Sequence, residues 1–307
     1  MAHRGWHQIA YEREVLNELT SVSIESTELM LVKQSSGLRA YDIHCPHRGA
    51  NLCRGGKLRD DHVVCPFHGR RIGLDAPGED GFAVSGYRTI SAGGLVFVLF
   101  DETCSAGFDE YLRRLDETHF IVPGFTVAVP TRPEYVIENA LDRRHFAEVH
   151  GVINTPELQL LESEAGEMAV RAQLLTPRPN SWQAQASPGV ELLIRIFSPT
   201  ICATELTDGT VTRTVLTAAT PDGTGQCRIR VSVAVPPRAD GSPPEEGAIR
   251  ALLRDSRTAI EQDARIWEHL PSHPRNCFAA DDGLVVQYYR FCSRFRQTRS
   301  PQDGAGA

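Results

Sequence analysis

Between Val22 and Tyr41, short apolar runs alternate with polar turns: Leu29-Met30-Leu31-Val32, then Ser35-Ser36-Gly37, then Leu38-Arg39-Ala40-Tyr41. Runs of this length bounded by turn residues predict strands of a small antiparallel domain. The stretch from Gly73 to Gly94 is rich in Gly, Pro and Asp, and the run Leu95-Val96-Phe97-Val98-Leu99-Phe100 predicts the strand that closes that domain. Asp101 to His119 reads as a polar connection with one helical turn around Tyr111 to Leu115. Phe125 to Val129 predicts a further strand, and Thr131-Arg132-Pro133-Glu134 carries a capping-box pattern that predicts a helix start.

A β-meander is predicted from Leu158 to Pro236. Its strands are Met168 to Leu175, Val190 to Phe197, Ile201 to Leu206, Val211 to Ala219 and Cys227 to Val235, with turn signals at Asp208-Gly209 and Pro221-Asp222-Gly223. Ser242-Pro243-Pro244-Glu245 then opens a long helix, with an N-cap, prolines in the first turn and acidic residues against the helix dipole. Ile249, Leu252, Leu253, Ile260, Trp267 and Leu270 form one apolar stripe along it. Leu284 to Tyr289 reads as a final apolar strand, and the small, polar tail from Ser300 to Ala307 as disordered. The pattern divides the chain into 1–115, 116–299 and the tail 300–307, an α+β organisation.

Composition narrows the function classes. The chain has 307 residues, 41% of them hydrophobic, enough for a core in each of two domains. A net charge of −7 gives no basic footprint for nucleic acid or an anionic membrane. The start Met1-Ala2-His3-Arg4-Gly5-Trp6 has no apolar leader, and no window approaches the run of about 18 apolar residues a membrane span needs. The expectation is a cytoplasmic protein without a membrane span. Of eight cysteines, Cys53, Cys104, Cys202, Cys227, Cys277 and Cys292 lack a tight spacing pattern and read as free thiols.

The other two cysteines belong to a paired motif. Cys45-Pro46-His47-Arg48-Gly49 is answered after a hairpin-length gap by Cys65-Pro66-Phe67-His68-Gly69. Two thiolates and two imidazoles suit tetrahedral zinc, or a two-iron cluster in which one iron takes the cysteines and the other the histidines. Each loop supplies one residue of each kind, which favours the cluster, because each loop can then reach both irons.

These loops resemble the Rieske [2Fe-2S] domain. The resemblance implies that Cys45 and Cys65 bind one iron and His47 and His68 the other. Ala50 and Phe67 stand where respiratory Rieske proteins carry an extra disulfide, which implies the lower-potential, oxygenase-like type. Two departures flank the second loop, since Arg70 and Ile72 occupy places the family usually gives to aromatic residues.

A second constellation follows Pro133: Glu138, Asn139, Asp142, His145 and His150 in the order E-N-x-x-D-x-x-H-x-x-x-x-H. Two histidines with a carboxylate are the ingredients of the facial triad that holds Fe(II) with positions open for oxygen. Residues i and i+5 of an ideal helix are about 140° apart, so a π-type widening or a break is predicted before Gly151. Asp263 lies on the apolar stripe of the long helix, where an unpaired carboxylate costs several kcal/mol and a metal is the natural partner. Asp255, Glu261 and Glu268 compete for that role.

The order around His145 and His150 resembles the ligand helix of Rieske non-haem iron oxygenases, and Gln262-Asp263-Ala264-Arg265-Ile266-Trp267 resembles the third-ligand segment of their ketosteroid-hydroxylase-like branch. The resemblance runs from about Trp6 to Phe295. It implies a Rieske domain followed by a helix-grip catalytic domain, with His145, His150 and Asp263 on the mononuclear iron. Asp142 would link a cluster histidine to an iron histidine across a subunit boundary, in a homotrimer; Glu138 and Asn139 would support the site. No G-x-G-x-x-G dinucleotide fingerprint follows a strand, so NAD(P)H electrons would arrive from a separate reductase, with or without a ferredoxin between.

The implied reaction is monooxygenation of a largely apolar molecule by O2. Desaturation, oxidative demethylation or oxidative cyclisation on the same fold are the alternatives. A bare Rieske ferredoxin is the alternative of another class, and it leaves His145, His150 and Asp263 unexplained.

Overall fold

The computed structural model describes residues 2–163, 165–175, 189–209, 211–271 and 277–296. The tail from Ser300 to Ala307, expected to be disordered, lies outside them. The first half holds β1 (Trp6–Tyr11), β2 (Leu19–Ile24), β3 (Thr27–Gln34), β4 (Gly37–Asp42), β5 (Lys57–Arg59), β6 (His62–Val64), β7 (Arg71–Gly73), β8 (Phe82–Ala83), β9 (Gly86–Ala92) and β10 (Leu95–Leu99). They form a six-stranded antiparallel sheet in the order β1-β10-β9-β4-β3-β2 and a small four-stranded sheet, β5 to β8. The loop after β4 and the loop between β6 and β7 carry the two Cys/His motifs.

Helix α1 (Phe108–Thr118) leads into the second half. The predicted single turn is therefore a full helix, because Phe108, Tyr111, Leu112 and Leu115 fall on one face and bury together. They pack with Trp6, Phe97 and Phe197 into a core at the junction of the two halves.

The second sheet contains β11 (Phe120–Val129), β12 (Gln159–Leu161), β13 (Met168–Leu174), β14 (Val190–Ser198), β15 (Ile201–Asp208), β16 (Val211–Pro221) and β17 (Cys227–Val235). Its seven strands run β11-β17-β16-β15-β14-β13-β12, an antiparallel meander with β11 added beside β17. Helices α2 (Pro133–Glu138), α3 (Arg143–Glu148), α4 (Glu246–Trp267) and α5 (Gly283–Ser293) accompany it. The buried core on their side joins Val136, Ile137, Ile229, Val231, Trp267 and Tyr288.

Several expectations are corrected. Leu284 to Tyr289 is part of helix α5, and its buried residues Val285, Tyr288, Phe291 and Cys292 recur at helical spacing. Helix α4 begins at Glu246, after both prolines, with no side-chain cap. Leu270 lies past its end, 40% exposed. The Thr131 capping box does not form: α2 has Arg132 at its N-cap and Pro133 in its first turn, a place where proline's missing N–H costs nothing.

The two halves are fastened through β1. Its free edge would leave carbonyls unpaired in a buried place. Ser198 Oγ and Thr200 Oγ1 donate to Trp6 O, Thr220 Oγ1 to Gln8 O, and the buried Arg230 guanidinium to Gln8 O and Ile9 O. The Tyr11 hydroxyl reaches the Phe125 and Val231 carbonyls. Side chains of the second half thus complete the edge of the first sheet.

Candidate metal centres

The two Cys/His loops fold alike. In each, the cysteine N–H donates to the carbonyl five residues on, Cys45 to Ala50 and Cys65 to Arg70. In each, the glycine N–H four residues on returns to the cysteine carbonyl, Gly49 to Cys45 and Gly69 to Cys65. Gly49 and Gly69 both have positive φ, +73° and +68°, which closes the turn and turns both loops the same way.

Cys45 and Cys65 are buried free thiols that face each other, and the His47 and His68 rings stand 5.0 Å apart. The backbone N–H groups of His47 and Arg48 point at the Cys45 sulfur. His47 Nδ1 is buried without a hydrogen-bond partner among the described residues. An orphaned ring nitrogen beside two buried thiols fits a metal cluster better than a packed core, where such atoms are paired. Phe67 and His68 are exposed at the loop tip.

Arg70 takes the place of an aromatic shield. Its guanidinium pairs with Asp80 at 3.2 Å and lies 5.4 Å over the Phe82 ring, which in turn tilts against the His47 ring at 5.6 Å. Asp80 also accepts from the Arg71 N–H. Ile72 is fully buried.

The second centre is built on a broken helix. Helix α2 passes into a short turn at Asn139–Leu141, and Asp142 then restarts the helix as the N-cap of α3, its Oδ1 accepting from the Arg144 and His145 N–H groups. Helix α3 ends at Glu148, so His145 lies on it and His150 just beyond. The exit is closed by Gly151, at φ +67°, and by the Val152 N–H reaching back to Phe146 O. The predicted i, i+5 problem is solved by a break, with no π-helix.

His145 Nε2 and His150 Nε2 are 3.0 Å apart. Asp263 Oδ1, from α4, lies 3.0 Å from the first and 3.5 Å from the second. Three ligands on one face of an octahedron with bonds of about 2.1 Å stand about 3.0 Å apart. Asp263 is buried, yet its Oδ1 makes no aligned hydrogen bond among the described residues. The two Nε2 atoms are within hydrogen-bond distance of each other while Asp263 Oδ1 is left without an aligned donor, and three donor atoms converging this closely are the arrangement a divalent ion resolves.

The competitors for the third ligand stay outside. Asp255 contacts Arg254, Glu261 pairs with Arg257, and Glu268 is exposed.

Sequence reasoning missed the role of Gln262, although the residue stood in the quoted segment. Its Oε1 lies 2.9 Å from His150 Nδ1. Accepting the Nδ1 proton leaves Nε2 with its lone pair free, the tautomer a metal needs. Glu138 is buried enough that its carboxyl is pushed up to about 7, chiefly by loss of solvent.

A Cys/His loop pair on a small β domain and a His-His-Asp face on a helix-gripped antiparallel sheet together define the Rieske-type oxygenase class of protein. Comparison with known proteins agrees. Residues 5–81 match the Rieske [2Fe-2S] domain, and residues 107–295 match the 3-Ketosteroid 9alpha-hydroxylase C-terminal domain. The chain belongs to the Rieske-type non-haem iron oxygenases, in their 3-ketosteroid 9α-hydroxylase-like branch.

Among curated relatives, cholesterol 7-desaturase nvd of Bombyx mori is 30% identical over 108 residues, 32% of this chain and 24% of that protein. The 3-ketosteroid-9-alpha-monooxygenase oxygenase component of Rhodococcus rhodochrous is 27% identical over 165 residues, 48% of this chain and 41% of that one. The chain thus aligns with less than half of the length of either relative. The solved structure of Pseudomonas putida CBB5 NdmA with caffeine has the same fold, with a TM-score of 0.70 at 17% identity, covering 94% of this chain and 90% of that one.

Proposed function

We propose that this chain is the oxygenase component of a monooxygenase acting on a largely apolar, polycyclic molecule of the steroid type. The net reaction takes R–H, O2, two electrons and two protons to R–OH and water. The convergence of His145, His150 and Asp263 behind a Rieske domain carries the reading. When bound, the cluster on Cys45, His47, Cys65 and His68 supplies stored electrons, and iron on the triad supplies oxygen activation.

The chain's own residues do the positioning. Gln262 holds the His150 tautomer, and the Gly151 exit turns both imidazoles to one side. Next to His145, Phe146 and Val152 pack with Leu158 against Ala172, Leu174 and Leu192. That apolar cluster beside the ligand turn would suit a hydrocarbon surface and help exclude water. Residues 176–188 of the meander lie outside the described residues.

Relatives named for sterol desaturation and for ketosteroid hydroxylation both support a steroid-like substrate, and the first keeps desaturation as the second reading. We further propose a homotrimer in which one subunit's cluster serves its neighbour's iron through Asp142. Both hydrogen bonds to Asp142 use Oδ1, and the exposed Phe67–His68 tip is free to dock. A separate NAD(P)H-dependent reductase, with or without a ferredoxin, would reduce the cluster.

The test is anaerobic reduction with EPR and iron counting, about three irons per chain expected, then turnover of steroid-like compounds with a surrogate reductase. Products that gain one oxygen atom support hydroxylation, and loss of two hydrogens supports the second reading. Zinc in place of iron would end both. Asp142→Asn, which keeps a cap, should leave folding and cluster reduction intact and stop turnover; normal turnover would remove Asp142 from the electron route.

A further inference from the structure

Between α2 and α5 lies a group of polar atoms that neither folding nor the triad explains. Glu138 Oε2, Tyr135 OH and Tyr289 OH are buried and make no well-aligned hydrogen bond among the described residues. The Tyr289 hydroxyl faces the Glu138 carboxyl, and Tyr135 is one helical turn before Glu138 on α2. The neighbouring Tyr288 is satisfied, donating to Pro199 O at 3.0 Å. On the outer side stands the partly exposed Arg132–Glu134 pair, 3.6 Å apart. On the inner side Glu138 faces Asp142, which holds the His145 N–H.

Buried polar atoms without protein partners are ordinarily satisfied by water. A carboxyl and two phenols sharing such water make a path along which protons hop. The oxygenase reaction proposed above, on which this inference rests, consumes two protons per turnover as one oxygen atom leaves as water. We propose that Glu138, with the Tyr135 and Tyr289 hydroxyls, is the proton inlet of that reaction, passing protons from the Arg132–Glu134 surface toward Asp142 and the triad. In each passage the Glu138 carboxyl gives up its proton inward and is reprotonated from the solvent side, so the carboxyl and phenols return to their starting state.

The charge environment fits the role. Burial raises the Glu138 carboxyl to about 7, and the carboxylates of Glu134 and Asp142 push the same way. Tyr289 and Arg132 oppose them. Tyr135, Tyr288 and Cys292, the other titratable groups against it, are themselves held protonated by burial. A donor half-protonated near neutrality both releases and regains protons readily.

The experiment is an infrared pH titration of the holoprotein. A protonated-carboxyl band titrating around pH 7 is expected in the parent and absent from Glu138→Gln. Tyr289→Phe, which keeps the packing and removes an interaction that favours the carboxylate, should move that midpoint upward. In turnover the parent rate should fall as pH rises through about 7, and Glu138→Gln should be slower by roughly a hundredfold with that pH dependence gone. Cluster reduction by the donor should be unchanged. A band that persists in Glu138→Gln overturns the proposal. So does a variant that is slow yet keeps the parent's pH profile, which is the mark of a structural role. A parent that turns over nothing would instead refute the oxygenase reading, whatever the infrared band does.

Discussion

Asp263 Oδ1 stands 3.0 Å from His145 Nε2, bringing the C-terminal part of α4 against the ligand turn that ends at Gly151. Neither element makes the site alone. The two imidazoles come from a helix that stops between them, and the carboxylate comes from a helix that follows the entire meander.

Removing that carboxylate should separate the two centres. Asp263→Ala is expected to lower the iron content from about three per chain to about two and to abolish turnover, with the visible spectrum of the cluster preserved. EPR of the oxidised and reduced forms checks it. Loss of the cluster signal together with the mononuclear iron would mean that Asp263 holds the fold rather than the metal.

Gln262 acts one bond further out. Gln262→Leu removes the acceptor of the His150 Nδ1 proton, and iron affinity should fall by roughly 10- to 100-fold. Competition with a chelator, monitored by remaining iron, gives the number. Unchanged affinity would show that the imidazole is held by packing alone.

Arg70 places a guanidinium behind the Phe82 ring that leans on His47. A cation near the cluster favours the reduced, more negative form, so Arg70→Trp should lower the midpoint potential. A tenfold change in the electron equilibrium corresponds to about 59 mV, and the ion pair with Asp80 keeps the shift at or below that scale. Redox titration of the isolated protein measures it, and an identical potential would remove Arg70 from the account.

Acid should loosen the junction near the amino terminus. The His3 and His7 rings stack at 3.8 Å, His7 fully buried and His3 half-buried, with His3 Nε2 on Thr200 Oγ1 and His7 Nε2 on the His3 carbonyl. Burial lowers both, His7 to about 4 from 6.5. The unfolded chain therefore binds more protons between those values, and stability is complete above pH 6.5 and declines as pH falls toward 4. His7 alone accounts for about 3 kcal/mol. Thermal unfolding at stepped pH should show the decline in the parent and a shallower one in His7→Gln; parallel curves would assign the acid sensitivity elsewhere.

Much of this molecule is legible in the chain because its chemistry is local. The Cys45–Gly49 and Cys65–Gly69 motifs each close on their own carbonyls, so a handful of consecutive residues specifies a ligand loop whatever surrounds it. The meander strands are bounded by turn residues, and their alternation survives any packing. Asp263 could be singled out because a carboxylate on an apolar stripe demands a partner.

Other features were decided by contacts across the fold. The run Leu284 to Tyr289 has strand-like composition, yet it is helical because Val285, Tyr288, Phe291 and Cys292 find one buried face on the core, and packing outweighs intrinsic preference. The carbonyls of β1 are satisfied by Ser198, Thr220 and Arg230, which no local pattern announces. The orphaned atoms around Glu138 exist only where α2 meets α5. By itself the sequence determined the candidate ligand types, their order and the class of fold, since these rest on short-range geometry. Tertiary structure alone decided how the break after Glu148 brings both imidazoles within reach of Asp263 and which polar groups were left buried without partners, because desolvation and distance are properties of the packed whole.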